Sequence, residues 1–298
     1  MNNLLSIEKL SLADLEYILA ASKPLKAERG RHAEQPLAGQ IWALIFSKSS
    51  TRTRVSFEVA IRELGGQALF LNANDIQLGR GEPIKDTARV VGRMIHGAII
   101  RTFAQNDVEE FARFGGIRTI NALTDDEHPC QIITDIFTFE EKRGPIQGRV
   151  VTLIGDGASN ITYSWIFAAA KLGFELRVAA PEGYQPAPEI LRRAGGKIVV
   201  TSDVKAAAAG ADLLYTDVWI SMGQEAQSAE RIKKMTGYQI NESAVKLAKP
   251  GVLVMHCLPA YKGKEIDEAT FEANAQTIFD QAENRLHVQK AILKWTLS

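Results

Sequence analysis

Short apolar runs alternate along the chain with segments of helical length. The runs at residues 41–46, 98–103, 149–154, 176–180, 213–216 and 252–256 are each followed by a polar or glycine-containing turn and then a helix-length stretch. Near-continuous apolar runs of strand length suit strands covered on both faces, whereas a half-exposed strand alternates. The pattern predicts an α/β fold of two domains, each a mostly parallel sheet flanked by helices, linked by helices including the C-terminal one. Sheets of this kind gather binding groups just past the carboxyl ends of their strands, so the residues after each run carry the functional interest.

At 298 residues the chain exceeds the size at which a single core keeps growing, which supports two domains. The expected seam lies at 140–148, Glu-Glu-Lys-Arg-Gly-Pro-Ile-Gln-Gly, where a charged helix end meets glycine and proline before a new strand. The expected division is 1–140 with a returning C-terminal helix, 283–298, against 141–282. Composition narrows the function. With 46% hydrophobic and 23% charged residues the chain is neither disordered nor fibrous. Its 35 Lys+Arg balance 35 Asp+Glu, which argues against nucleic acid or an acidic membrane as a partner held by bulk charge, so any anion must be bound locally. The only cysteines are Cys130 and Cys257; no run approaches 18 apolar residues and the N-terminus does not read as a secretion signal, so a cytoplasmic, reduced protein is expected.

The first constellation follows the run ending at Phe46. Ser50, Thr51, Arg52 and Thr53 sit where a helix starts, ahead of the helical pattern 55–64. Helix-start N–H groups, three hydroxyls and the charge of Arg52 and Arg54 make an anion cradle; a well-capped helix with a solvated basic first turn is the alternative.

The segment 46–58, Phe-Ser-Lys-Ser-Ser-Thr-Arg-Thr-Arg-Val-Ser-Phe-Glu, resembles the carbamoyl-phosphate motif of the aspartate and ornithine carbamoyltransferase family. Three more blocks follow in the family's order: Arg-Thr-Phe at 101–103, His-Pro-Cys-Gln at 128–131 and His-Cys-Leu-Pro at 256–259. The last block, with Asp-Val-Trp-Ile-Ser-Met-Gly at 217–223, resembles the ornithine branch. The resemblance implies that carbamoyl phosphate is held by Ser50, Thr51, Arg52, Thr53, Gln77, Arg101, His128, Gln131, Cys257, Leu258 and Arg285. It implies that L-ornithine is held by Asn160, Asp217, Ser221 and Met222. Arg101, His128, Cys257 and Arg285 are the implied catalytic residues, with Gln77 lent by a neighbouring subunit of a homotrimer that shares its active sites. No metal and no organic cofactor is implied.

Taken alone these residues have plainer roles: Arg101 as an ion-pair partner, His128 and Asp217 as helix caps, Arg285 as a solvated helix residue and Cys257 as a small apolar filler. Gly155-Asp-Gly-Ala-Ser-Asn160 stands where a dinucleotide loop would, with Asn160 in place of the third glycine. The family turn has adjacent asparagines, whereas this chain has Ser159 and Asn160. Three alternatives to the ornithine enzyme remain at this point: a transferase for putrescine or an N-substituted ornithine, a nicotinamide dehydrogenase, and a non-catalytic homologue. An arginine-metabolism role fits the resemblance, in biosynthesis or catabolism.

Overall fold

The structure, a computed structural model, describes residues 1–73, 81–220 and 228–298. The chain forms two compact units, Met1–Phe137 with Glu283–Ser298, and Thr138–Ala282. In chain order the first carries α1 (Leu12–Ala27), β1 (Ile41–Phe46), α2 (Thr51–Glu63), β2 (Gln67–Asn72), α3 (Ile84–Val91), β3 (Gly97–Arg101), α4 (Gln105–Gly115), β4 (Arg118–Leu123) and the start of α5 (Pro129–Arg143). The second carries β5 (Val150–Ile154), α6 (Asn160–Leu172), β6 (Glu175–Ala179), α7 (Pro188–Ala194), β7 (Ile198–Thr201), α8 (Val204–Ala208), β8 (Leu213–Thr216), α9 (Ser228–Met235), α10 (Glu242–Leu247), β9 (Leu253–His256) and α11 (Glu268–Ala273). Helix α12 (Ala275–Trp295) begins in the second unit and ends in the first.

Both sheets are parallel throughout, as the continuous apolar runs require. The first has the order β2-β1-β3-β4 and the second β7-β6-β5-β8-β9. In the first, β1 pairs Phe46 with Arg101 of β3, so Arg101 stands level with the loop that opens α2. Close packing of β1 on β3 explains Gly97, where a Cβ would lie 2.4 Å from the Trp42 ring. Ala43, Ile45, Ala98, Ile100 and Phe111 are buried together in this unit, and Ile154, Ala179, Leu214, Val254 and Phe271 in the other. Three strands, β2, β4 and β7, lie outside the six apolar runs, and β3 ends at Arg101, which leaves Thr102 and Phe103 beyond it.

The β5–α6 turn uses its glycines for shape. Gly155 has φ +136°, and a Cβ on Gly157 would lie 2.8 Å from the Tyr184 carbonyl oxygen. Ser159 caps α6, its hydroxyl accepting from Thr162 N–H at 3.2 Å. Serine and asparagine cap helices about equally well, so Ser159 keeps the local geometry that asparagine would give.

Candidate active site

In the first unit, Ser50 caps α2, its Oγ accepting from the Thr53 N–H at 3.3 Å. Thr51 is exposed, Arg52 half-buried and Thr53 buried. Two arginines early in the helix oppose its dipole; Arg54 is paired with Glu58 at 2.7 Å, and Arg52 is the cationic side chain left to an anion at the helix start. Arg285, 3% exposed on α12, donates from Nη2 to Thr53 Oγ1 at 2.5 Å. That bond brings residues from opposite ends of the sequence to one helix start.

Arg101 ends β3 and His128 immediately precedes α5; both are buried. Burial holds the His128 imidazole well below its ordinary pKa, and the charges of Arg285, Arg101 and Lys48 push in the same direction. At neutral pH His128 is an uncharged ring that can donate one N–H. Lys48 was not anticipated as part of this cluster. Its side chain is buried, pairs with Asp125 and lies 4.3 Å from the centre of the Phe103 ring. Gln131, one turn into α5, donates from Nε2 to Asp135 Oδ1 at 2.8 Å. Cys130 donates its S–H to the Asn121 carbonyl, and burial pushes its thiol up to about 12, so it is chemically quiet.

In the second unit, Asp217 follows β8. Its Oδ1 accepts from Cys257 Sγ at 2.9 Å and from the Val218 N–H at 2.7 Å. Burial raises the Asp217 carboxyl above the ordinary range, opposed by His256 and by those two donors. A cation beside it would draw that pKa back down. Leu258 has φ +60°, a conformation that costs a Cβ-bearing residue about 1–2 kcal/mol, and its N–H donates to His256 Nδ1 at 2.9 Å. The other ring nitrogen of His256 faces Glu265 Oε1 at 3.2 Å, and Glu265 also accepts from the Tyr261 N–H at 2.5 Å.

Asp217, His256 and Cys257 have ligand atoms within 4.8 Å of one another. Both nitrogens of His256 already have partners, so the trio offers a metal no ready imidazole lone pair. Asn160 is the first residue of α6 and half-buried. One guanidinium ties the two turns together: Arg231 Nη1 donates to Asp156 Oδ2 at 2.8 Å and to the Trp219 carbonyl at 3.2 Å. Asp156 also accepts from the Ala158 N–H at 2.9 Å.

The implied residues therefore fall into two groups. Ser50, Thr51, Arg52, Thr53, Arg101, His128, Gln131 and Arg285 belong to the first unit; Asn160, Asp217, Cys257 and Leu258 belong to the second. Gln77, Ser221 and Met222 lie outside the described residues. Lys48, Asp156, Arg231, His256 and Glu265 were missed as partners. Lys48 sits inside the quoted motif and His256 opens another, so residue type alone was the available signal for those two.

A family model described as "Aspartate/ornithine carbamoyltransferase, carbamoyl-P binding domain" matches residues 2–141. Its companion, the "Asp/Orn binding domain", matches residues 147–296. The chain is 55% identical over 296 residues to the ornithine carbamoyltransferase of Akkermansia muciniphila, covering 98% of this chain and 97% of that one. Among solved structures it resembles the anabolic ornithine carbamoyltransferase of Campylobacter jejuni, with a TM-score of 0.93, 40% identity and coverage of 99% of both chains. The Pyrococcus furiosus ornithine carbamoyltransferase gives 0.92 at 42% identity, covering 98% of this chain and 96% of that one. Fold and sequence together define a carbamoyl-transferring enzyme, and the chain belongs to the aspartate/ornithine carbamoyltransferase family.

Proposed function

We propose that the chain transfers the carbamoyl group of carbamoyl phosphate to the δ-amine of L-ornithine, giving L-citrulline and phosphate. The observation that carries this is the Asp217–Cys257 pair, an acid and a thiol at 2.9 Å in the unit matched by the amino-acid-binding model. An acid there suits a diamino acid and repels the second carboxylate of aspartate. The neutral δ-amine attacks the carbamoyl carbon, the new C–N bond forms, the carbon–oxygen bond to phosphate breaks, and the amine's proton passes to the leaving phosphate. Negative charge grows first on the carbonyl oxygen and then on the leaving phosphate.

Arg101, His128, Thr53 and Arg285 are fixed donors for that charge, and the start of α2 from Ser50 to Thr53, with Arg52, holds the phosphate. An uncharged His128 donates to the carbonyl oxygen without surrendering its proton. Gln131 and the backbone at Cys257 and Leu258 receive the carbamoyl NH2. Asp217 takes the α-amino group, Asn160 the α-carboxylate, and Ser221 and Met222 complete the amino-acid site. Atoms and charge balance between the two substrates, with no cofactor in the equation. In the same proposal the enzyme is a cytoplasmic homotrimer of arginine metabolism in which Gln77 serves a neighbouring subunit.

The test incubates the protein with carbamoyl phosphate and, in turn, ornithine, putrescine, acetylornithine and aspartate, and assays the ureido product. Citrulline from ornithine alone is the expected result; product from another amine in preference would replace ornithine as the substrate. Arg101→Ala should lower kcat by about 10²–10³ or more with an unchanged circular dichroism spectrum, on the scale of losing an oxyanion donor. Full activity in that variant would remove Arg101 from the anion site.

A further inference from the structure

Gln131 and Asp135 are both buried on α5, at 1% and 0% exposure. On a solvated helix face such a pair is an ordinary i,i+4 contact, but inside a protein a carboxylate is expensive to keep. Its geometry has a chemical result. A carboxylate only accepts hydrogen bonds, so the group that Gln131 turns toward Asp135 Oδ1, at 2.8 Å, must be its NH2. The amide is thereby fixed in one sense, with Oε1 directed away from Asp135. Among the described residues that buried oxygen has no hydrogen-bond partner. Gln131 lies three residues beyond His128, whose carbonyl accepts from its backbone N–H at 3.1 Å, and His128 is within the field of Arg101, Arg285 and Lys48.

We propose that Asp135 is a positioning residue that orients the Gln131 amide as a hydrogen-bond acceptor for an NH2 group, so that the anion site selects carbamoyl phosphate over acyl phosphates of the same shape. Acetyl phosphate differs from carbamoyl phosphate by a methyl group in place of NH2. Against a fixed acceptor the methyl leaves Oε1 unsatisfied, whereas a freely turning amide could present either end. The inference rests on the proposed carbamoyl-phosphate function, and it adds to that function the residue that sets donor selectivity.

The experiment is calorimetric binding of fresh carbamoyl phosphate and of acetyl phosphate to the full chain, with citrulline formation assayed in parallel. The wild-type protein should prefer carbamoyl phosphate by about tenfold or more, the discrimination expected of a buried acceptor left unpaired. Asp135→Leu should cut that preference roughly fivefold or more while acetyl phosphate affinity stays within about threefold, because only the orientation of the acceptor is lost. Gln131→Met, which removes the acceptor outright, should abolish the preference and decides the matter if the first variant does not fold. A preserved ratio in either variant, or equal weakening of both phosphates as a purely structural role would give, overturns the proposal. Preference for carbamoyl phosphate without citrulline would overturn the amine assignment alone, and the ratio would still decide the role of Asp135.

Discussion

His128 shows how one side chain serves two ends. Burial and three nearby cations keep its ring neutral in the folded protein, while the unfolded chain takes up a proton near pH 6.5. Below that pH the unfolded state binds the extra proton and the folded state does not, so His128 makes the protein less stable as pH falls from about 6.5 toward its depressed folded value. Its full weight is about 1.4 kcal/mol per pH unit in that window. His128→Asn, which cannot titrate, should flatten the pH dependence of the urea midpoint below about pH 6.5 by up to that slope. An unchanged slope would mean that His128 is protonated in the folded protein. In the proposed reaction the same neutrality suits the ring to donate at the carbonyl oxygen without competing for the proton of the amine.

At the scale of elements, the strand ends carry the chemistry and the turns beyond them must be held still. Arg231 on α9 does this for two turns at once, that of Asp156 after β5 and that of Trp219 after β8. These turns precede Asn160 and follow Asp217, the residues proposed to hold the α-carboxylate and the α-amino group of the amino acid. Arg231→Ala should raise KM for ornithine about tenfold or more while KM for carbamoyl phosphate, bound by the other unit, changes less than about twofold; truncating one partner of a buried pair costs several kcal/mol, part of it spent on turn geometry. Equal shifts in both constants in steady-state kinetics would deny Arg231 this selective part.

Much of this level was legible in the sequence. The six runs became strands because each is nearly unbroken in apolar residues, and even β9, at a sheet edge, is buried throughout. β2 and β7 escaped because they are edge strands, partly exposed along their length. β4 escaped because Thr119 and Asn121, both fully buried, interrupt its apolar run, their side chains donating to the carbonyls of Ile117 and Leu5. Likewise the motif residues were legible by type, but Lys48 with Asp125 and Arg231 with Asp156 pair across 77 and 75 positions, a distance that local spacing does not encode.

At the scale of the whole molecule, the last helix closes the first unit. Lys290 on α12 is fully buried, its Nζ donating to Glu63 Oε2 at 2.7 Å and to the Leu25 carbonyl at 3.2 Å, with His32 Nε2 at 2.8 Å. Burial lowers the Lys290 pKa, and the contact with Glu63 works against that. Lys290→Met removes one side of the pair and leaves Glu63, whose side chain is 21% exposed and so only partly desolvated. We expect a loss of about 2 kcal/mol, below the 3–5 kcal/mol of a fully buried pair, read as a lower urea midpoint with the m-value unchanged. A midpoint at or above wild type would show that the lysine is held at a net cost.

The bond from Arg285 to Thr53 spans 232 positions, and that separation has a meaning in time. A ribosome adding ~5–20 residues each second makes Arg285 roughly 12–46 s after Thr53. Through that interval the nascent chain has the start of α2 without the guanidinium that donates to it. A message broken before the codon for Arg285 therefore yields a polypeptide in which Thr53 lacks that donor, however much of it has already folded.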